Sequence, residues 1–276
     1  MLLSTLKRLL PFLMLIASLS SPLLARPAAM VTEVVGSATA SGQALQLFDT
    51  LEEGQVLVLP AGASLTLSYL EGGLRWLCQG PARYQVQANG LKCLQGKDRS
   101  QMARPAPGRR AGVSGDFNWD RMAGLRREDL GWTGDRAFVA GPVVLRWQAP
   151  DDLDEVEIVV EQLPDFQRVF KGTLPARPAE LSLQLQPGQR YQCHLRGFSP
   201  RRTAEAAEWS IRTLNDSERA ELSEREQASQ GSLSERVEHC GWLLQQGLQS
   251  RAQKLAAELL EKYPGQERLR QLARPE

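Results

Sequence analysis

The segment LSLQLQPGQRY, residues 181–191, alternates leucines with serine and glutamine and then places Pro-Gly ahead of a tyrosine. In an extended chain the three leucines lie on one side and the polar residues on the other. This alternation predicts a half-buried β-strand, and Pro187-Gly188 predicts the turn that ends it. The segment therefore indicates an antiparallel β unit, which we place at residues 137–214.

The residues around this segment extend the pattern. Val143–Trp147 is a strand candidate, and Leu-x-Pro-Gly ahead of Tyr191 resembles the fibronectin type III pattern. The resemblance implies a β-sandwich in which the Tyr191 hydroxyl ties a corner to the backbone and Trp147 is the core tryptophan. It also implies that Trp209–Thr213 is the last strand. It implies no catalytic activity. Cys193 shares a face with Tyr191 and is predicted to lie in the core.

A first β unit is predicted at residues 26–98. Short alternating runs are separated there by Gly, Pro and Asn turns, and Leu65, Leu67 and Tyr69 share one face. Strands this short and evenly spaced predict an antiparallel sandwich or barrel.

The same unit resembles the FecR-like periplasmic domain family. The residues that carry the resemblance are Val34-Val35-Gly36, Leu51 with Gly54, Pro60–Ser64, Glu71-Gly72-Gly73, and Gly80-Pro81-Ala82 with Tyr84 and Val86. These are turn and core positions, so the resemblance implies a fold more than a function. Well-known members of the family sense across the inner membrane through a cytoplasmic N-terminal segment, whereas only Met1–Arg8 precede the apolar run here.

The N-terminus has the three-part pattern of a secretory signal peptide. Met1–Arg8 carries Lys7 and Arg8, Leu9–Leu24 is apolar, and Ala25 is a small residue suited to cleavage. We therefore predict a signal peptide at residues 1–25, cleaved after Ala25, and a periplasmic mature protein. The alternative is an uncleaved inner-membrane anchor facing the periplasm, but the run is shorter than the roughly 20 apolar residues of a span.

Residues 99–136 are rich in Arg, Gly and Pro and show no sustained period, which predicts a linker. A candidate basic contact patch consists of Arg104, Arg109, Arg110, Arg121, Arg126 and Arg127. The patch could bind an anionic glycan, a lipid headgroup or nucleic acid, but a solvated linker is favoured because these arginines share no regular face. The formal net charge is +1, and loss of Lys7 and Arg8 would make it 1 − 2 = −1, so we expect no nucleic-acid partner.

A helical tail is predicted at residues 215–276. Leu233, Val237, Cys240 and Leu244 recur at helical spacing, and a second helix is expected at Ser250–Tyr263, ended by Pro264-Gly265. The pair resembles one tetratricopeptide hairpin. One such repeat cannot bury its own face, so it must pack on an additional helix at Ser217–Gln227, on the sandwich, or on another chain. A protein-docking hairpin and a C-terminal cap are equally compatible with this pattern.

Candidate chemistry is sparse. Cys78 and Cys93 lie on strand candidates taken as neighbours, and an oxidising compartment predicts a disulfide between them. Cys193-His194 and His239-Cys240 supply zinc-type ligands, but the pairs come from different units and adjacent strand residues point to opposite faces. The acidic run Asp151–Glu155 is expected to be a solvated turn rather than a Ca²⁺ site, because the spacing of a calcium loop is missing.

The sequence therefore predicts a mainly β protein with a helical C-terminus and no metal or cofactor. No nucleotide-binding or hydrolase motif is present, and an enzyme is not expected. The function that we expect is that of an exported, non-catalytic cell-envelope adaptor or binding protein, with an envelope protein or glycan as partner. The alternatives are a peptidoglycan-binding or other glycan-binding protein that uses the basic linker, and a membrane-anchored signalling regulator of the FecR type.

Overall fold

The computed structural model describes residues 27–71, 73–103, 131–132, 134–177, 179–199, 202–228 and 231–274. The predicted signal peptide with its cleavage point, and the six arginines of the predicted basic patch, lie outside these residues. Within them the chain is mainly β and ends in helices, which confirms the predicted fold class. No helix in this part of the chain is long and apolar enough to span a membrane.

We call residues 27–103 the first β module. Its described strands are β1 (Pro27–Val35), β2 (Thr39–Ala40), β3 (Gln43–Ala44), β4 (Thr50–Glu52), β5 (Val56–Leu59), β6 (Ser64–Tyr69), β7 (Arg75–Gln79), β8 (Ala82–Gln87), β9 (Gly90–Gly96) and β10 (Gln101–Ala103). They form two sheets, in the orders β10-β7-β6-β1-β4 and β3-β2-β5-β8-β9. Leu65, Leu67 and Tyr69 lie in the core that the two sheets share, each at most 1% exposed.

The second β module comprises the described residues between 131 and 214. Its strands are β11 (Gly131–Trp132), β12 (Ala137–Phe138), β13 (Gly141–Gln148), β14 (Glu155–Leu163), β15 (Gln167–Pro175), β16 (Glu180–Leu185), β17 (Arg190–Ser199) and β18 (Arg202–Thr213). One sheet has the order β11-β13-β16 and the other the order β12-β18-β17-β14-β15. Trp147 and Cys193 are buried in the core that the two sheets share, as their positions in the sequence predicted.

Two side chains hold the turn after β16 through hydrogen bonds to its backbone. The Tyr191 hydroxyl accepts from the Gln186 backbone N–H at 2.9 Å, and Thr213 Oγ1 accepts from the Gln189 N–H at 3.0 Å. Gly188, with φ +68°, supplies the left-handed residue that the turn requires. The tie predicted for Tyr191 is present in the structure.

The helical tail contains α1 (Asp216–Ala228), α2 (Leu233–Gln246), α3 (Gln249–Lys262) and α4 (Glu267–Ala273). Ser232 begins α2 with a capping box, since its side chain accepts from the Glu235 N–H and the Glu235 carboxylate accepts from the Ser232 N–H. The second helix of the predicted pair ends before Pro264-Gly265 as expected, since α3 ends at Lys262. The chain only turns there, and α4 follows with Leu269 fully buried.

The two ends of the predicted linker belong to the modules that flank it. The Arg99 N–H donates to the Tyr84 hydroxyl at 3.2 Å, and β10 pairs with β7. At the other end β11 pairs with β13. The first β module therefore extends beyond residue 98, the boundary that the alternating pattern predicted.

Candidate functional site: the interface of the helical tail

The helical tail packs on both β modules through one continuous apolar cluster, which we call the tail interface. Its members come from β1 and nearby loops, from both ends of the second module, and from all four helices. The buried residues are Met30, Leu47, Phe48, Leu70, Ala137, Leu214, Leu222, Val237, Cys240, Trp242, Leu243, Leu244, Leu248, Ala252, Ala256, Leu259 and Leu269. The tail is therefore an intramolecular cap that covers part of the first module, a surface that the sequence analysis did not identify.

The face of the first module under α2 carries small hydroxyl side chains. Thr32, Thr66 and Ser68 point away from the sandwich core, yet each is at most 5% exposed. Thr32 Oγ1 lies 2.7 Å from Ser234 Oγ on α2 and donates to the Thr66 carbonyl at 3.2 Å. Small side chains let the helix approach the sheet closely, and the hydroxyl pair satisfies two polar groups that burial would otherwise leave unbonded.

Phe48 is the largest apolar side chain that the first module contributes to the tail interface. Its φ is +66°, a left-handed conformation that bulky residues rarely adopt, and its side chain is fully buried. The Phe48 N–H donates to the Val31 carbonyl at 2.9 Å, which fixes the loop against β1. Burial of the ring against the helices offsets the cost of this backbone conformation.

Charged pairs surround the apolar contact with the first module. Arg75 on β7 donates from Nε and Nη2 to the two carboxylate oxygens of Glu238 at 2.9 and 2.8 Å, and Glu235 lies 3.8 Å away. Burial lowers the pKa of Arg75, but the hydrogen bond and the charge of Glu238 outweigh burial and raise it overall. Arg268 of α4 contacts Asp49 at 2.5 Å. The two-point pairing of Arg75 with Glu238 fixes the orientation of the two elements as well as their distance.

The second module is attached to the tail at the turn between α2 and α3. The Gly247 carbonyl accepts from the N–H groups of Arg136 and Ala137 at 2.9 and 3.1 Å. Asp135 Oδ1 accepts from the Ser250 N–H at 2.6 Å at the start of α3. Arg212 contacts Glu218 of α1 and also donates to the Gln246 side chain at 2.6 Å. The tail is thus hydrogen-bonded to both modules, on different elements.

A buried histidine lies inside the tail. His239 on α2 is 5% exposed, and among the described residues its Nδ1 has no hydrogen-bond partner. Its ring stacks on Trp242 at 6.0 Å between centroids, and the Arg225 guanidinium lies 4.9 Å from the Trp242 ring. Burial, followed by the charges of Arg225 and Arg251, lowers the pKa of His239 to about 4. The imidazole is therefore neutral at pH 7.

The predicted disulfide is not formed, and Cys78 and Cys93 are both free thiols. Their strands, β7 and β9, lie in different sheets rather than next to each other. The Cys78 thiol donates to the Leu65 carbonyl at 3.3 Å, and burial raises its pKa to about 12. A thiol that stays protonated is a poor nucleophile for disulfide exchange.

The other candidate ligands lie apart from one another. His194 is on the exposed face of β17, 3.7 Å from Glu208, while Cys193 is buried on the opposite face. Asp151, in the acidic run, contacts Arg177, and Leu153 of the same run is buried. Among the described residues, no group of three or more His, Cys, Asp or Glu side chains could hold a metal ion.

No protein-family model matches the chain, and no curated protein matches it significantly. Among solved structures, one match is a computationally redesigned β-sandwich protein. It shares 13% identity with this chain and has a TM-score of 0.27, and the match covers 32% of this chain and 93% of the other. At this TM-score the likeness carries no structural argument.

Proposed function

We propose that this protein is an exported, non-catalytic adaptor of the cell envelope, which holds two β modules in a fixed orientation for binding an envelope protein or a glycan. The observation that carries the proposal is the tail interface, where one set of helices contacts both modules. Domains joined only by a linker move relative to each other by default, unless a large apolar interface holds them together. A fixed pair of modules lowers the conformational cost of binding, because the binding surface is already arranged.

Both ends of the interface support this role. On the first module the helices bury Phe48 and Met30 and pair with Arg75. On the second module the Gly247 turn accepts backbone hydrogen bonds, and Leu214 joins the same apolar cluster. A tail that served only to cap one sandwich would not need contacts with both. Periplasmic location belongs to this proposal and is supported by the N-terminal sequence pattern.

Location can be tested by expressing the full chain in a Gram-negative bacterium, fractionating the cells and sequencing the N-terminus of the recovered protein. We expect periplasmic protein that begins at or near Arg26. Protein that retains Met1 and sediments with the inner membrane would contradict export with cleavage and favour the anchored signalling regulator.

Binding can be tested by crosslinking in intact cells and by sedimentation with purified peptidoglycan. We expect a specific crosslinked envelope protein or co-sedimentation with the glycan. Either result should be reduced by Phe48→Asn, which loosens the tail interface, and retained by Phe166→Asn, which changes an exposed hairpin residue. A chain that captures neither class of partner, or one that binds equally well with Phe48→Asn, would contradict the adaptor role.

A further inference from the structure

His239 lies where α1, α2 and α3 meet, and its surroundings favour the neutral imidazole. The side chain is 5% exposed and stacks on Trp242 of the same helix. Among the described residues, Nδ1 is buried without a hydrogen-bond partner, so nothing at that nitrogen stabilises an added proton. A buried group that gains charge without gaining a partner destabilises the packed state.

The charged groups that face His239 come from both neighbouring helices. Arg225 on α1 and Arg251 on α3 are cations, and both lower the pKa of the imidazole. Each of these arginines pairs with a carboxylate of α1, Arg225 with Glu221 and Arg251 with Glu226. Asp135, whose pKa burial raises, interacts with Arg251, and Glu235 and Glu238 of α2 pair with Arg75 of β7.

α1 contributes one buried apolar side chain to the tail interface, that of Leu222. Its other contacts with the tail include the Arg225 guanidinium over Trp242 and the Arg251–Glu226 ion pair. Both contacts lie beside His239, so a positive charge on the imidazole acts directly on the groups that hold α1 in place.

We propose that His239 makes the helical tail an acid-sensitive latch, in which proton uptake by the imidazole favours detachment of α1 from α2 and α3. In the detached state His239 is exposed to water, and Trp242 becomes accessible. The inference goes beyond the adaptor role and holds whatever partner the modules bind.

The size of the effect follows from linkage. In the closed tail the pKa of His239 is about 4, whereas an exposed histidine has an ordinary value near 6.5. The open state therefore binds the proton more strongly, so the closed state is most stable above pH 6.5 and loses stability as the pH falls from 6.5 toward 4. Between pH 7.5 and pH 5.5 the opening equilibrium constant should rise about tenfold.

Hydrogen exchange on the full chain measures this opening directly. The amides of residues 216–228 should open about tenfold more often at pH 5.5 than at pH 7.5, after correction for the intrinsic pH dependence of exchange. His239→Gln, which cannot gain this charge, should abolish the difference. The chain has two histidines, so His194→Gln is the matched control and should behave as the unaltered protein does.

Each variant's opening constant at pH 5.5 is divided by its own opening constant at pH 7.5. A uniform loss of stability in His239→Gln changes both constants equally and leaves this ratio unchanged. Imidazole NMR supplies a second measurement, because His194→Gln leaves one histidine signal. That signal should not titrate above pH 5 while the tail is closed. An opening constant that does not change with pH in the unaltered chain, or the same pH dependence in His239→Gln, would overturn the proposal.

Discussion

At the scale of single residues, two phenylalanines share an unusual backbone and differ in burial. Phe48 has φ +66° and is fully buried in the tail interface, whereas Phe166 has φ +52° and is 61% exposed at the tip of the β14–β15 hairpin. The left-handed conformation costs about 1–2 kcal/mol for such residues. Burial offsets that cost for Phe48 but offsets little of it for Phe166.

Substitution by asparagine, which tolerates this conformation, should therefore have opposite effects at the two sites. We expect Phe166→Asn to raise the free energy of unfolding by about 0.5–1 kcal/mol, since it relieves strain and loses little burial. Phe48→Asn should lower it by about 3 kcal/mol or more, because it places an amide in an apolar cluster. Urea unfolding measures both, and equal effects at the two positions would contradict the assigned role of Phe48.

Ion pairs can be compared in the same way. Arg75→Leu leaves Glu238 partly buried without its two-point partner and should cost about 2 kcal/mol. Arg146→Leu removes an exposed pair with Glu180, 3.6 Å apart, and should change the stability by less than about 0.5 kcal/mol. Thermal or urea unfolding of the two variants measures both changes in stability. A negligible cost for Arg75→Leu would show that this pair does not hold the tail.

None of these residue roles could be predicted from the sequence alone. Phe48 lies in a loop, and no spacing rule marks a left-handed aromatic residue. Thr66 and Ser68 show the small polar pattern of a solvent-facing strand side, and alternation cannot tell whether water or a helix covers that side. The partners of Arg75 are far along the chain, so only the fold brings them together.

At the scale of elements, the α2–α3 turn connects the tail to the second module. Gly247 has φ +79°, and a Cβ there would lie 3.1 Å from Arg136 Cβ and 3.4 Å from the Ala137 nitrogen. The sequence predicted a glycine turn between two helices, and the observed helices begin and end within a few residues of the predicted positions. The contact of the Gly247 turn with β12 could not be predicted, because it depends on how the second module packs against the tail.

Two glycine substitutions separate the conformational cost from the cost of this contact. Gly62 also has φ +79°, but among the described residues no atom lies within 4 Å of the position that a Cβ would occupy. We expect Gly62→Ala to cost about 1 kcal/mol, from the backbone alone, and Gly247→Ala to cost about 1 kcal/mol more. Equal costs, measured by urea unfolding, would mean that the contact between the turn and Arg136 is easily displaced.

At the scale of the whole molecule, the helices form a layer that spans the two sandwiches. The sequence correctly predicted two β units followed by a helical tail, because alternation and helical spacing are local signals. It did not predict which face the tail covers, since the apolar stripe of a helical hairpin is compatible with several partners. The prediction of a Cys78–Cys93 disulfide was wrong because it assumed that the two strands are neighbours. Which strands become neighbours is not a local property of the sequence.

The most direct measurement of the central claim is the distance distribution between spin labels placed at Gln87 and Thr173, one exposed position on each module. Cys93→Ser removes the one described cysteine that is not fully buried, so only the two introduced cysteines should react. If the tail holds the modules in one orientation, double electron–electron resonance on the full chain should give a single narrow distribution, which Phe48→Asn should broaden. A broad distribution in the chain with Phe48 intact would contradict the account.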